Sequence, residues 1–249
     1  MAERTFKLFI SIFCCLILFS TPAYSQKKEK KETNPADTIT YPLFNGISIG
    51  YDVMGLINKA YNKDYLTHEV AIDINLKNRY FPVFEIGYGT TNKWSDLGTH
   101  YKSNAPYFRI GADYNFLHKK AHKNILSLGL RYGYSSFSYK IENLPLEDDI
   151  WGTQIENPSI NDDIWGGSIH IDKSSLSSSM HWIEFAVGLR TTIYKNLQMA
   201  WSVRLKYRIS IEESPYGEPW YIPGYGKYDS SRIGLNYSII YRIPGKKKK

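Results

Sequence analysis

The residues with the clearest potential for chemistry lie in a duplicated motif in the middle of the chain. The motif Asp-Asp-Ile-Trp-Gly occurs twice, and its acids and tryptophans are Asp148, Asp149, Trp151, Asp162, Asp163 and Trp165. Paired carboxylates beside a tryptophan could bind a divalent cation through their oxygens, or a sugar against the ring face. The alternative is two Asx-type turns, each held by a tryptophan that packs on the rim of the fold. We favour the turns, because the repeat lacks the dense oxygen spacing of a calcium loop, and we predict no metal site.

A second candidate surface is the segment from residue 216 to residue 228, which is rich in aromatic residues, glycine and proline. Trp220 and Tyr221 are its candidate ligand-binding residues, because loops on rigid scaffolds often carry the binding function of a protein. The same composition also suits a rigid cap over the end of the fold. The residues alone leave these two interpretations open.

Catalytic chemistry has few candidates in this sequence. Among the six histidines, metal-ligand spacing is found at His118 and His122, but this pair lies among lysines in a predicted short turn and suits a solvated surface. We therefore predict a non-enzymatic protein without a cofactor. The alternative hypothesis is an enzyme that acts on lipid or peptide. Its candidate acids and base would be Asp148, Asp162, Glu184 and His181.

Eight segments with a β-strand pattern must position any such site. Apolar and polar residues alternate with period two over residues 47–53, 69–76, 83–88, 108–116, 126–134, 183–190, 197–209 and 232–243. Because a slip of one residue would move every charge onto the apolar face, the register of each strand is strongly specified. Together with 21 tyrosines and 15% aromatic residues, the pattern predicts an all-β protein.

The connections between these segments alternate between short and long. The short ones are 77–79, 117–124 and 194–196, and the long ones are 57–66, 91–105, 138–180 and 210–229. Short periplasmic turns and long surface loops are typical of outer-membrane barrels, and an even strand number leaves both termini in the periplasm. We therefore predict an eight-stranded antiparallel transmembrane up-and-down β-barrel over residues 45–243. A soluble lipocalin-like barrel is the alternative.

The polar face of the predicted barrel carries acids and bases in similar numbers. They are Asp52, Asp73, Glu85, Asp113, Glu184, Arg109, Arg131, Arg190 and Arg204. If this face points inward, opposite charges can pair across an interior that the side chains of eight strands just fill. The sequence thus predicts a lumen plugged by a network of charged side chains rather than an open pore.

The start of the chain has the features of an export signal. A positively charged start, an apolar run over residues 8–19 and small residues up to Ser25 predict a signal peptide over residues 1–25 that is cleaved after Ser25. The apolar run is shorter than the ~20 residues that a spanning helix needs. Both cysteines, Cys14 and Cys15, lie inside this segment, so the mature chain is expected to have no disulfide and no thiol chemistry.

The formal net charge of +7 lies at the ends of the chain. Residues 26–32 carry +2 and residues 246–249 carry +4, whereas residues 33–245 hold 21 basic and 21 acidic residues. We predict a charged periplasmic segment over residues 26–44 and a lysine-rich tail over residues 244–249. A nucleic-acid-binding protein would carry a basic face on its folded body, so we expect no nucleic acid partner.

The final predicted strand matches the assembly signal of outer-membrane barrels, polar-x-Gly-x-x-aromatic-x-hydrophobic, with Arg232, Gly234, Tyr237 and Ile239 in the defined positions. Nearly the whole mature chain resembles a Bacteroidetes family of outer-membrane-β-barrel-like proteins of unknown function. The stretches that carry the resemblance are 73–79, 105–111, 163–167 and 220–228. The resemblance implies an outer-membrane location and a barrel fold, and it brings no catalytic residues.

These observations lead to one interpretation. We expect a monomer in the outer membrane of a Gram-negative bacterium, with a structural role or a surface-binding role through its long loops. Its expected partners are outer-membrane lipid, the barrel-assembly machinery and a surface ligand of unknown identity. An enzyme at the membrane rim stays open as the alternative.

Overall fold

The computed structural model describes residues 41–95, 99–118, 124–145, 170–212 and 219–245. Its strands are β1 (Phe44–Asp52), β2 (Tyr65–Leu76), β3 (Tyr80–Trp94), β4 (His100–Asn115), β5 (Ile125–Pro145), β6 (His170–Tyr194), β7 (Leu197–Ile211), β8 (Tyr221–Ile222), β9 (Gly226–Lys227) and β10 (Ser231–Pro244). A helix, α1 (Met54–Tyr61), follows β1. In these ranges, no helix has the length and apolar character needed to cross a bilayer.

Eight of these strands close into a barrel in the order β1–β10–β7–β6–β5–β4–β3–β2. Every neighbouring pair in the wall is antiparallel, and consecutive wall strands are neighbours. The two-residue strands β8 and β9 form a separate hairpin between β7 and β10. The predicted all-β class and the eight-stranded antiparallel up-and-down barrel are therefore confirmed.

The two faces of the wall follow the predicted parity. Outward side chains are apolar and exposed, as at Phe84 (45%) and Val203 (44%). Inward side chains next to them in the sequence are charged and buried, as at Glu85 (1%) and Arg204 (5%). Since successive residues of a strand point to opposite faces, this contrast fixes the register of both strands.

Two of the predicted short turns use the left-handed region of the backbone. Lys77 and Asn78 join β2 to β3 with φ of 53° and 55°, and Lys195 joins β6 to β7 with φ of 47°. Asn tolerates this left-handed region because its short side chain can bond locally to the backbone. Asn75 stabilises the turn between β2 and β3, since its Oδ1 accepts a hydrogen bond from the backbone N–H of Asn78 at 2.8 Å.

The predicted long connections were wrong in their bounds. In place of the connection 91–105, β3 continues to Trp94 and β4 begins at His100. In place of the connection 138–180, β5 continues to Pro145 and β6 begins at His170. The strands β3 to β6 thus extend well beyond the segments with an apolar outward face.

The physical reason is that the polarity of the two faces is inverted in these extensions. Asn104 and Ser138 point outward and are exposed, whereas Tyr101, Phe137 and Tyr139 point inward and are at most 5% exposed. The alternation therefore continues, but with the apolar residues inside. We refer to the part of β3–β6 with polar outward residues as the projecting sheet.

The other two long connections contain structure that the period-two pattern did not predict. The connection 57–66 begins within α1, which starts two residues after β1 ends. The connection 210–229 contains the hairpin of β8 and β9. Both are short elements, which leave little periodicity in a sequence.

Candidate functional site in the barrel interior

The middle of the barrel interior holds a network of ion pairs centred on Glu85. Its carboxylate accepts hydrogen bonds from Arg204 at 2.7 Å, Arg131 at 2.8 Å and Arg109 at 3.0 Å. Glu85 lies on β3 and Arg204 on β7, and four steps around the ring separate these strands in either direction. This contact therefore crosses the full width of the barrel.

Two further carboxylates complete the network on the side that faces the projecting sheet, which we call the upper side. Glu184 lies 2.8 Å from the Nε of Arg109, and Glu69 lies 2.5 Å from the Nη1 of the same guanidinium. Tyr107 donates its hydroxyl hydrogen to Glu69 at 2.7 Å. Each of these side chains is at most 3% exposed, so the charges are stabilised mainly by one another rather than by water.

A second contact crosses the barrel at a lower level, nearer the short turns. Arg190 on β6 binds Asp73 on β2 through two hydrogen bonds, of 2.7 Å and 3.2 Å, and these strands are again four steps apart. Asp113 lies 3.0 Å from Arg131 and links this level to the centre. The interior is thus spanned at two heights by guanidinium–carboxylate pairs.

The structure places eight of the nine predicted lumen charges in these ion pairs; the ninth, Asp52, has a different role. Its carboxylate accepts hydrogen bonds from the backbone N–H of Met54 at 2.9 Å, the side-chain amide of Asn236 at 2.6 Å and the backbone N–H of Tyr237 at 3.2 Å. Asp52 therefore holds the start of α1 against β10.

The list of predicted lumen residues missed Glu69, Lys206 and Tyr107. Glu69 and Lys206 have the inward parity of Asp73 and Arg204 on the same strands, so the same alternation could have found them. Tyr107 gave no such signal, because it is an aromatic residue at an inward position where the pattern predicts a polar one. Its role depends on contacts that the period-two pattern does not contain.

The hairpin of β8 and β9 folds down onto this network. Its turn has Pro223 followed by Gly224 at φ +80°, with the N–H of Tyr225 bonded to the carbonyl of Ile222, which is the arrangement of a type II turn. The carbonyl of Gly224 accepts hydrogen bonds from Arg109 at 2.9 Å and from Lys206 at 2.6 Å. The turn is thus anchored to the charged network through its backbone.

An aromatic cluster packs around the hairpin and fills the space between the hairpin and the wall. Ile222 is fully buried, Tyr225 is 2% exposed, and the cluster includes Tyr107, Phe137 and Trp182. Burial raises the pKa of Tyr221 and that of Tyr225 to about 12. Both phenols therefore stay protonated well above the pH at which an exposed tyrosine ionises.

The candidate ligand-binding residues of the hairpin lie at its outer end. Trp220 is 36% exposed. The ammonium group of Lys227 lies over its ring, 5.4 Å from the ring centre, and the ring of Tyr65 lies beside it at 6.2 Å between ring centres. The ring of Tyr221 packs against Tyr65 at 4.8 Å, and its carbonyl accepts a hydrogen bond from Tyr101. These contacts favour the cap, with Trp220 remaining accessible at the rim.

The acid–tryptophan duplication lies outside the described residues: Asp148, Asp149, Trp151, Asp162, Asp163 and Trp165 all fall in the range 146–169. The same holds for His122 and for the signal peptide, residues 1–25. In the part of the chain that the structure describes, no three histidine, cysteine or acidic side chains lie together as metal ligands would.

Of the candidate acid–base pairs of the enzyme hypothesis, the pair of Glu184 with His181 does not form. Glu184 points into the barrel and is fully buried, whereas His181, on the same strand, points outward. The ring of His181 lies 2.5 Å from the hydroxyl of Tyr132 and packs on Tyr134. A base and an acid on opposite faces of one wall cannot act on the same substrate atom.

The outer face of the projecting sheet carries a polar cleft of about 490 Å³. Lys102 and Lys140 stand directly opposite one another on β4 and β5, and both contact Glu142, at 3.8 Å and 2.5 Å. The hydrogen bonds from Lys140 and His100 lower the pKa of Glu142 to about 2. Glu142, which contacts both lysines of the cleft, is therefore ionised over the whole ordinary pH range.

The residues of the predicted assembly signal lie on β10. By parity Tyr237 and Ile239 point outward and Arg232 and Gly234 point inward, and Arg232 donates a hydrogen bond to the carbonyl of Lys227 at 3.0 Å. The placement fits a strand with one apolar and one polar face. Their role in assembly stays a prediction.

Comparison with known proteins adds a family and a similarity to a solved structure. A family model described as a domain of unknown function (DUF6048) matches residues 5–248. Among solved structures, the chain is similar to Ail, the attachment invasion locus protein of Yersinia pestis, in complex with the heparin analogue sucrose octasulfate. That similarity has 11% sequence identity and a TM-score of 0.40, and covers 81% of this chain and 99% of the other. No curated protein matches the chain.

Proposed function

The chain belongs to the DUF6048 family, and from that premise we propose that it is a non-enzymatic outer-membrane β-barrel that is closed to solutes and binds a ligand at the cell surface. Its eight strands would span the bilayer, with the short turns in the periplasm and the projecting sheet outside the cell. The charged network and the β8–β9 hairpin would close the lumen.

The observation that carries this proposal is the inversion of polarity along the wall. Lower down, charged side chains face inward and apolar ones face outward; in the projecting sheet, aromatic side chains face inward and polar ones face outward. A barrel in water throughout has no reason to keep a long apolar outer belt, because that belt would drive association. A bilayer around the lower part explains its apolar outer face, and water around the projecting sheet explains its polar outer face.

This proposal makes the cost of a charge on the outer face depend on its depth. Val203 has apolar neighbours on both sides, Leu235 on β10 and Val187 on β6, which suits a position near the middle of the bilayer. Val203→Arg is expected to lower the free energy of unfolding in lipid vesicles by about 2–4 kcal/mol. Ile209→Arg, near the end of the same strand, is expected to cost about 0–1 kcal/mol.

Urea unfolding of the refolded variants, followed by the mobility shift on heating, measures both values. Equal costs at the two positions would contradict a bilayer around this strand.

Surface binding would use the projecting sheet and the rim of the hairpin. The cleft between Lys102 and Lys140 offers hydroxyl, amide and ammonium donors, and Trp220 offers an exposed ring. Loops and extensions on a rigid barrel are suited to recognition, because the wall holds them in place. The enzyme alternative gains no support from Glu184, since His181 lies on the opposite side of the wall.

The test of the proposal is cysteine labelling on intact cells with a membrane-impermeant maleimide. The predicted signal peptide removes Cys14 and Cys15, so a single introduced cysteine has no background. Ser138→Cys, on the outer face of the projecting sheet, is expected to react. Asn196→Cys, in the turn between β6 and β7, is expected to react only after the outer membrane is broken.

Each variant should first show the heat-dependent mobility of a folded barrel. Labelling of Asn196→Cys but not Ser138→Cys on intact cells would mean the opposite orientation. Equal labelling of both would mean either an open pore or a protein that does not span this membrane.

A further inference from the structure

The barrel wall has a gap one strand wide at the upper end of β1. The strand β1 ends at Asp52, and its last pairings are with Val70 on β2, through Tyr51, and with Ser238 on β10. Both neighbours continue past this point, β2 back to Tyr65 and β10 back to Ser231. Because β1 lies between them, the two continuing edges should stand about two strand spacings apart, roughly 9–10 Å.

The helix α1 covers this gap from the side of β2. Gly55 packs so closely on β2 that a Cβ there would lie 1.9 Å from the carbonyl oxygen of Thr67. The N–H of Val53 bonds to the carbonyl of Tyr237 on β10 at 2.8 Å, which ties the start of the helix to the other edge. Leu56 and Ile57 on the helix are 45% and 38% exposed, so the cover presents apolar side chains outward.

A cavity of about 380 Å³ remains between the helix, the hairpin and β10. Its lining includes Ile233 and Leu235, which point outward and are 65% and 60% exposed, as well as Gly234 and Asn236, which point inward. The cavity therefore reaches the edge of β10 beside the gap, next to the outward positions of Ile233 and Leu235.

The inner part of the cavity is polar and balanced in charge. Its carboxylates are Asp52 and Glu69, and its cations are Arg109 and Lys206. Both cations already bind protein oxygens, including the carbonyl of Gly224, so an anionic group would find no uncommitted cation among them. Mixed carboxylate, amide and hydroxyl groups suit a neutral, hydroxyl-rich ligand instead.

Small polar side chains and aromatic rings complete this environment. Asn58, Thr67 and Asn236 offer amide and hydroxyl groups, and Tyr107 and Tyr221 border the same space. A volume of 380 Å³ lies in the range of small-molecule sites. Sugar rings combine hydroxyl edges with apolar faces, which is the chemistry that such a lining can bind.

We propose that this lateral cavity binds the sugar head group of a membrane glycolipid, whose acyl chain leaves through the gap along Ile233 and Leu235. The proposal rests on the proposed function in one respect: the gap must lie within a bilayer. The head group enters from the side, between α1 and β10, and the hairpin forms the upper boundary of its site.

The experiment uses the full mature chain folded in dodecyl-dimethylamine-oxide micelles, with dodecyl maltoside as the probe. Native mass spectrometry is expected to show one retained maltoside molecule on the wild-type protein. Thr67→Trp, which fills the cavity from β2, is expected to reduce that retained fraction at least tenfold. The matched control is Ser136→Trp on β5, which is exposed on the outer face, lines neither the lateral cavity nor the outer cleft, and should keep the adduct.

Free maltose provides the second arm, because a soluble sugar could supply the same head group. Maltose alone is expected to bind at least tenfold more weakly, since it lacks the chain that lies along β10. Maltose binding as strong as that of dodecyl maltoside would overturn the lateral route. Retention of the adduct by Thr67→Trp, or its absence from the folded wild type, would overturn the site.

Folding is checked by the heat-dependent mobility of each variant. If Thr67→Trp does not fold, Asn58→Phe on α1 replaces it, because Asn58 lines the same cavity and its replacement leaves the residues of the wall strands unchanged. The two proposals can fail separately. Absence of the adduct from a wild-type protein with normal cysteine labelling would contradict the glycolipid site alone. Abnormal labelling would contradict the membrane barrel.

Discussion

Replacing Glu85 with glutamine is expected to lower the free energy of unfolding by about 3–5 kcal/mol, measured by urea unfolding in lipid vesicles. The carboxylate of Glu85 accepts hydrogen bonds from three guanidinium groups, those of Arg109, Arg131 and Arg204. The residue is 1% exposed, so water cannot replace the lost negative charge. Three cations would then share the remaining carboxylates in a dry interior.

The double variant Glu85→Gln/Arg204→Met separates the loss of charge balance from the loss of hydrogen bonds. Removing one cation along with the carboxylate should recover part of the stability, because neighbours in one network are not additive. Glu142→Gln is the matched control on the wet outer face, and no measurable loss is expected there. Unfolding of Glu85→Gln at the wild-type urea concentration would contradict the central role of this carboxylate.

Gly224→Val is expected to expel the β8–β9 hairpin from the barrel. At φ +80° a branched side chain is strained, and its Cβ would lie 2.5 Å from the ring of Tyr107. Once the hairpin leaves, Tyr221 and Tyr225 become exposed, and the pKa of each should fall from about 12 to about 10. At about pH 11, the phenolate fraction of these two residues should therefore rise from about one tenth to about nine tenths.

Ultraviolet absorbance of phenolate measures this change, and protease added to intact cells should cut the released segment. Gly226→Ala is the control within the hairpin, since its φ of +118° is also strained but no atom lies within 4 Å of its Cβ. It should retain most of the wild-type titration. A wild-type titration in Gly224→Val would mean that the turn does not depend on its contact with Tyr107.

The sequence predicted the lower barrel well because that part obeys a local rule. In a wall between lipid and a filled interior, each residue's environment depends on its parity along its own strand. The charged residues from Asp73 to Arg204 could be assigned to one face without knowledge of any other strand. The same rule predicted the wrong ends for β3 to β6, since it was applied with the apolar face outward throughout.

The candidate site was predicted only in part, and the missing pieces are the ones that depend on distant residues. Parity shows that Arg204 points inward, but its partner Glu85 is 119 positions away and is selected by the closure of the ring. The hairpin at Gly224 gave two open interpretations because its composition suits both a cap and a binding loop. Its backbone contact with Arg109 favours the cap, and that contact joins residues 115 positions apart.

What the sequence determined by itself is therefore the class of fold, the number of wall strands and the face on which each charge lies. These follow from interactions between a strand and its surroundings, which repeat every two residues. The tertiary structure alone decided which carboxylate each guanidinium binds, that the hairpin folds into the barrel, and that the wall opens where β1 ends at Asp52. Those features depend on the spacing and order of strands around a closed ring, and no periodicity along one strand contains that information.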